Sequence, residues 1–159
     1  MFRALDLNTE LGRKVKATMD AGTLVPDEVT IAMIQDRLAQ PDAKDGFVLD
    51  GFPRNLAQAD ALDELLSGIG RGLDAILFFD LPDDVGLERA LGRAKLESRS
   101  DDTPDAIAMR LETYHRETEP IVEHYRTTGK LVPLHAGRTV EEVWTQIADS
   151  LGMLGEDAA

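Results

Sequence analysis

Apolar residues recur at helical spacing along much of the chain, and short continuous apolar runs interrupt that spacing in a repeating order, which predicts alternating helices and buried strands. Leu11, Val15 and Met19 define a helix over Thr9 to Asp20, closed by Gly22. Pro26 opens a second, with Asp27 and Glu28 toward the positive end of its dipole and Val29, Met33, Ile34 and Leu38 on one face. Phe47-Val48-Leu49, bounded by Gly46 and by Gly51 and Pro53, predicts a buried strand. Asn55 then caps a helix striped by Ala59, Leu62, Leu65 and Leu66, which the glycines at 68, 70 and 72 end. Ala75 to Phe79 is the next strand, and Pro82, Asp83 and Asp84 start a helix through Val85, Leu87 and Leu91 to about Gly92.

Arg93 to Asp102 is polar apart from Leu96 and predicts a loop of a length that often serves function. Thr103, Pro104 and Asp105 begin a long helical region with Ile107, Leu111 and Tyr114 inward; Pro120 kinks or splits it and Gly129 ends it. Leu131 to Leu134 is the third strand, followed by the capping box Thr139-x-x-Glu142 and the inward stripe Val143, Trp144, Ile147 and Leu151. Trp144 and Tyr114 are expected in the core. Helices between buried strands imply parallel pairing and a doubly wound α/β sheet, with ligands at the carboxyl ends of the strands, just after Leu49, Phe79 and Leu134.

Composition narrows the function classes. The 159 residues suit one ordinary domain, and a net charge of −13 repels nucleic acid and acidic membranes unless positive charge is clustered. No apolar run approaches the ~20 residues of a membrane helix, and the first residues lack a signal-peptide core, so the expectation is a cytoplasmic protein. Cysteine is absent, which excludes disulfides, thiolate zinc sites and a cysteine nucleophile.

Two constellations carry chemistry. In Asp50-Gly51-Phe52-Pro53-Arg54 the chain leaves an apolar run and turns; glycine allows close approach of a ligand, Arg54 offers a fork of donors for a phosphate, and Asp50 suits a hydrated Mg²⁺. The competing reading has Asp50 capping the turn and Arg54 in solvent. The second constellation is Arg89, Arg93, Arg99 and Arg110 around the long polar segment; Arg89 and Arg93 share a helix face, where their repulsion is relieved by an anion between them. Here the competing reading is a set of surface ion pairs with Glu88, Asp101 and Asp102. Other motifs fail in context. Gly70-x-Gly72-x-x-Ala75 lies between helix and strand, the reverse of a dinucleotide fingerprint; His115, His124 and His135 have no metal-ligand spacing; Asp42 to Gly46 lacks calcium-loop ligands.

Three segments together, Gly22 to Glu28, Gly46 to Arg54 with Gln58, and Arg99-Ser100-Asp101-Asp102 with Arg110, resemble the adenylate kinase family from Phe2 to about Leu151. The resemblance implies a P-loop kinase-like doubly wound parallel sheet with helices on both faces, and reversible phosphoryl transfer between Mg-ATP and AMP. By it, Arg3, Leu24, Val25, Gly51, Arg54, Gln58, Arg99 and Arg110 belong to the AMP site, and Arg89, Arg93 and Arg138 to the ATP side. Arg54, Arg89, Arg93, Arg99 and Arg110 would act on the transferring group, and Asp50 would serve Mg²⁺ through water. Residues 1–151 would form the kinase-like domain, with 1–26 in the AMP region, 92–102 a short cysteine-free lid and 152–159 a tail. Implied partners are ATP, AMP and ADP, not nucleic acid or membrane, acting on a monomer.

The sequence departs from the family pattern at its start. Met1-Phe2-Arg3 matches a point inside the family's AMP-site helix, and no Gly-x-x-x-x-Gly-Lys-Ser/Thr run occurs; Gly129-Lys130 has His124 and Leu131 at the positions that should be glycine and hydroxyl. The family's strands 1 and 2 are therefore expected to be missing, leaving the Phe47 run apart from the pair formed by the other two strands. A longer parent chain, re-paired strands or a partner's segment would fill the gap. Residues 1–159 alone are expected to show negligible kinase activity. The alternatives are a nucleotide-binding protein without turnover and a kinase for another nucleoside monophosphate.

Overall fold

The computed structural model describes residues 25–97 and 104–152, which divide into two compact units with the boundary after Gly72. In the first unit, α1 (Asp27–Leu38) starts after Pro26 with Asp27 and Glu28 in its first turn, and a short 3-10 turn (Pro41–Ala43) follows. A free-running segment through residue 55 leads into α2 (Leu56–Gly68), whose cap is made by the Asn55 side chain accepting from the Gln58 backbone N–H. α2 buries Ala59, Leu62 and Leu66, and each leucine removed from water there contributes roughly 1.5–3 kcal/mol. Gly70, at φ 68°, lets the chain leave the helix in a left-handed turn.

The second unit holds β1 (Ile76–Asp80), α3 (Asp83–Glu97), α4 (Pro104–Thr113), a π-helical turn (Tyr114–Thr118), α5 (Glu119–Arg126), β2 (Leu131–His135) and α6 (Val140–Ser150). β1 and β2 pair in parallel, from Ile76 opposite Leu131 to Asp80 opposite His135. Helices occupy the connection, as parallel pairing requires. The sequence-predicted split at Pro120 takes the form of the π turn: Pro120 has no N–H for the carbonyl four residues back, and the ladder widens just before α5. Thr139 and Glu142 close the expected capping box at the start of α6.

Three expectations are corrected. Phe47 to Leu49 is not a strand: among the described residues the sheet has only β1 and β2, no ladder reaches this segment, and Val48 is 93% exposed. Phe47 is covered instead by the Arg71 guanidinium, 4.9 Å from its ring centre. The polar segment after Gly92 is helical to Glu97, since Ala94 to Glu97 are good helix formers with no glycine or proline to stop them. Trp144 is not a core residue; it is 56% exposed on α6, while Ala148 is the residue of that helix that is fully packed.

Candidate functional site

In the first unit the site grows from the junction of two helix starts. Gly51, at φ 69°, makes the turn after Asp50, and Arg54 folds back so that its Nε donates to the Gly51 carbonyl at 2.8 Å. Gln58 lies in the first turn of α2, nearly inaccessible at 6% exposure, so its amide must be satisfied internally. It is: the Arg54 backbone N–H donates to Gln58 Oε1 at 2.8 Å, and Gln58 Nε2 donates to Asp27 Oδ1 at 2.6 Å. Asn55 Nδ2 donates to the other Asp27 oxygen at 2.9 Å, while Asn55 Oδ1 accepts from the Gln58 N–H at 2.8 Å. Two of these hydrogen bonds, from Asn55 and Gln58 to Asp27, tie the start of α1 to the start of α2, and the other two order the start of α2 itself. Asp50 is exposed at the head of this turn.

In the second unit a cleft of about 620 Å³ lies beside the carboxyl end of the β1–β2 pair, lined among others by Phe79, Arg89, Arg138, Val140 and Trp144. Arg89 of α3 donates from Nη1 to the Ala136 carbonyl at 2.8 Å and from Nη2 to the Arg138 carbonyl at 3.3 Å, bracing the loop that follows β2. Arg138 sits 3.6 Å from Glu142. At the other end of α3, His115 of the π turn bridges two carboxylates, Nε2 to Asp83 and Nδ1 to Glu119, both at 2.9 Å. Those bonds, Glu119 first and Asp83 next, hold the His115 pKa above its ordinary value. Desolvation and the charges of Glu119, Asp80 and Asp83 push the neighbouring Tyr114 phenol up.

Comparison with known proteins decides the family. A model of the adenylate kinase family matches residues 1–130. The adenylate kinase of Streptomyces avermitilis is 43% identical over 180 aligned positions, covering 95% of this chain and 82% of that protein. Those of Stenotrophomonas maltophilia and Thermobifida fusca are 44% and 47% identical, over 92% and 90% of this chain and 79% and 76% of their own lengths. The chain belongs to the adenylate kinase family. The α/β architecture with a parallel sheet agrees with that membership.

Against the residues that the family resemblance singles out, the structure brings Gly51, Arg54 and Gln58 together in one unit and Arg89 and Arg138 onto one cleft in the other. Val25 is half-buried just before α1. Arg93 is exposed one turn after Arg89 on α3, and Arg110 is exposed on α4. Arg3, Leu24 and Arg99 lie outside the described residues. Among the described residues no group of three or more histidine, aspartate or glutamate side chains could cage a metal; Mg²⁺ is commonly held by only one or two carboxylates with waters and substrate phosphates, a role the exposed Asp50 carboxylate is chemically able to take.

Sequence reasoning missed three features. Asp27 was legible only as a first-turn acid, yet it is the acceptor for both Gln58 and Asn55. His115 was read only for its lack of metal-ligand spacing, and its carboxylate pair, which comes from α3 and α5, has no local signature. Trp144 fits an inward stripe by spacing alone and turns out to line the cleft.

Proposed function

We propose that the reaction served by this chain is reversible phosphoryl transfer, ATP plus AMP giving two ADP, with Mg²⁺ arriving on the nucleotide. The observation that carries the assignment of residues is the Arg54–Gln58–Asp27 junction: a buried amide with fixed polarity beside an arginine and a left-handed glycine turn, the chemistry needed to read a base edge and hold a phosphate. In this reading Val25, Gly51 and Gln58 define the adenine side and Arg54 holds the AMP phosphate, with Arg3 and Leu24 added by the family resemblance. An AMP phosphate oxygen attacks the γ-phosphorus of ATP as the bond to the β,γ-bridging oxygen breaks, and the arginines assigned to the transferring group, Arg54, Arg89, Arg93, Arg99 and Arg110, neutralise its charge. Arg138 and the cleft beside it serve the ATP base. Such chemistry relies on positioning and charge compensation, so a site without a nucleophile is sufficient.

Calorimetric titration of the chain with AMP, CMP and UMP, alongside a coupled assay for ADP formation, tests the proposal. AMP binding that exceeds CMP and UMP binding by tenfold or more and is lost in Arg54→Met supports it. Equal binding of all three overturns the substrate assignment. The turnover arm decides between a catalyst and a nucleotide-binding chain.

A further inference from the structure

We propose that Asp27 is a positioning residue that sets discrimination between AMP and its 6-oxo counterpart IMP by locking the orientation of the Gln58 amide. The inference rests on the reading of Gln58 as the residue that faces the purine edge. A primary amide is nearly symmetric in shape but opposite in hydrogen-bonding sense at its two ends, and a 180° rotation about its last torsion exchanges them. Adenine presents an acceptor at N1 and a donor at its 6-amino group. Hypoxanthine presents a donor at N1–H and an acceptor at O6. One amide orientation matches adenine, and the flipped orientation matches hypoxanthine equally well.

The environment of Gln58 permits only one. The Arg54 backbone N–H can donate and cannot accept, so the atom 2.8 Å away must be the amide oxygen. The Asp27 carboxylate can accept and cannot donate, so the atom 2.6 Å away must be the amide nitrogen. Flipping would set N–H against N–H and oxygen against carboxylate at a buried position, where unmatched polar groups are most costly. Asp27 is itself held by Asn55 Nδ2, and Asn55 by the backbone of Gln58, so neither partner turns to follow a flip. Each end of the amide keeps one further capacity, a second lone pair on oxygen and a second hydrogen on nitrogen, with which to meet the base.

The decisive substitution is Asp27→Asn, because an asparagine can turn either its carbonyl or its amide toward Gln58 and so removes one of the two constraints on the amide, leaving the Arg54 N–H alone to oppose a flip. The experiment measures calorimetric affinities for AMP and IMP on the wild-type chain, Asp27→Asn, Asp27→Glu, Asn55→Ser and Gln58→Ala, each first checked by circular dichroism. With only the Arg54 N–H left to oppose a flip, the AMP-to-IMP ratio is expected to fall by more than about threefold in Asp27→Asn, chiefly through gained IMP affinity, since a site with unmatched buried polar groups is what rejects a wrong ligand. Asp27→Glu, which still only accepts, and Asn55→Ser, which keeps the helix cap, are expected to hold the ratio within about threefold. Should Asp27→Asn not fold, Asp27→Ser provides the same removal of an accept-only partner. An unchanged ratio in Asp27→Asn with a collapsed ratio in Gln58→Ala overturns the role of Asp27 and leaves Gln58 as the base reader. Equal losses in Asp27→Asn and Asp27→Glu also overturn it, because that pattern marks a merely structural residue. An unchanged ratio in Gln58→Ala removes the underlying reading.

Discussion

Replacing Arg89 by methionine separates two jobs that one side chain can do. Its guanidinium donates to the carbonyls of Ala136 and Arg138, the two bonds that hold the loop after β2 against α3. Methionine keeps the aliphatic stem and removes both bonds. Ala136 is only 8% exposed, so its carbonyl loses a charged donor where water replaces it poorly, at a cost of about 1–3 kcal/mol. The 3.3 Å bond to Arg138 is longer and exposed, and solvent screening leaves it about 0.5 kcal/mol. Arg89→Met should therefore lose roughly 2 kcal/mol, which for a chain of this size lowers Tm by about 4–8 °C. Arg89→Lys, with one point charge in place of a fork, should lose about half as much. Thermal melts followed by circular dichroism, paired with ATP titrations of the same proteins, read the two jobs separately. A Tm drop with weakened ATP binding places Arg89 as a brace that shapes the cleft. Weakened ATP binding with an unmoved Tm would refute the reasoning, since the guanidinium would then be spent on nucleotide and not on the loop.

Three further outcomes are expected. The raised pKa of His115 means that its bridge to Glu119 and Asp83 stabilises fully below the ordinary histidine pKa and is lost as pH rises through the higher folded value; the Tm advantage of wild type over His115→Gln should be full below about pH 6 and shrink as the pH is raised above the ordinary histidine range. Leu62, 2% exposed on α2, leaves a cavity on Leu62→Ala, and urea unfolding should show a loss of about 2–5 kcal/mol. Trp144 is the only tryptophan and lines the cleft, so ATP titration should change its emission while Trp144→Phe abolishes the signal; an emission change with AMP as large as with ATP would argue against the cleft as the ATP side.

Most helix boundaries were legible because their signals are local. Pro26 with two acids, the Asn55 cap, the Thr139 to Glu142 box and Gly129 at φ 72° each act within one turn, and the structure places α1, α2, α6 and the end of α5 accordingly. Phe47 to Leu49 failed for a non-local reason: an apolar run becomes a strand only when a neighbour supplies a ladder, and composition does not say where that neighbour is. Trp144 failed similarly, since helical spacing names a face without naming what covers it. The assignment of Gln58 to the AMP site rests on the family resemblance, and its buried, doubly bonded state was not legible, because Asp27 is 31 positions away in sequence.

Asp27 shows why fold and selectivity are difficult to separate in this region. A carboxylate at the first position of α1 is favoured by that helix's own dipole, which suffices to explain an acid there. The same carboxylate meets the start of α2, where Asn55 already caps the helix and Gln58 supplies the capped N–H. Asp27 accepts from both Asn55 and Gln58 and, with the Arg54 N–H, holds the amide sense of Gln58, so on the proposed reading an acid at a helix start bears on which edge the amide offers the base. On that proposed role, substitutions at these helix starts are expected to move nucleotide selectivity when they change what Asp27 can accept, and stability alone when, as in Asn55→Ser, they leave that acceptor in place.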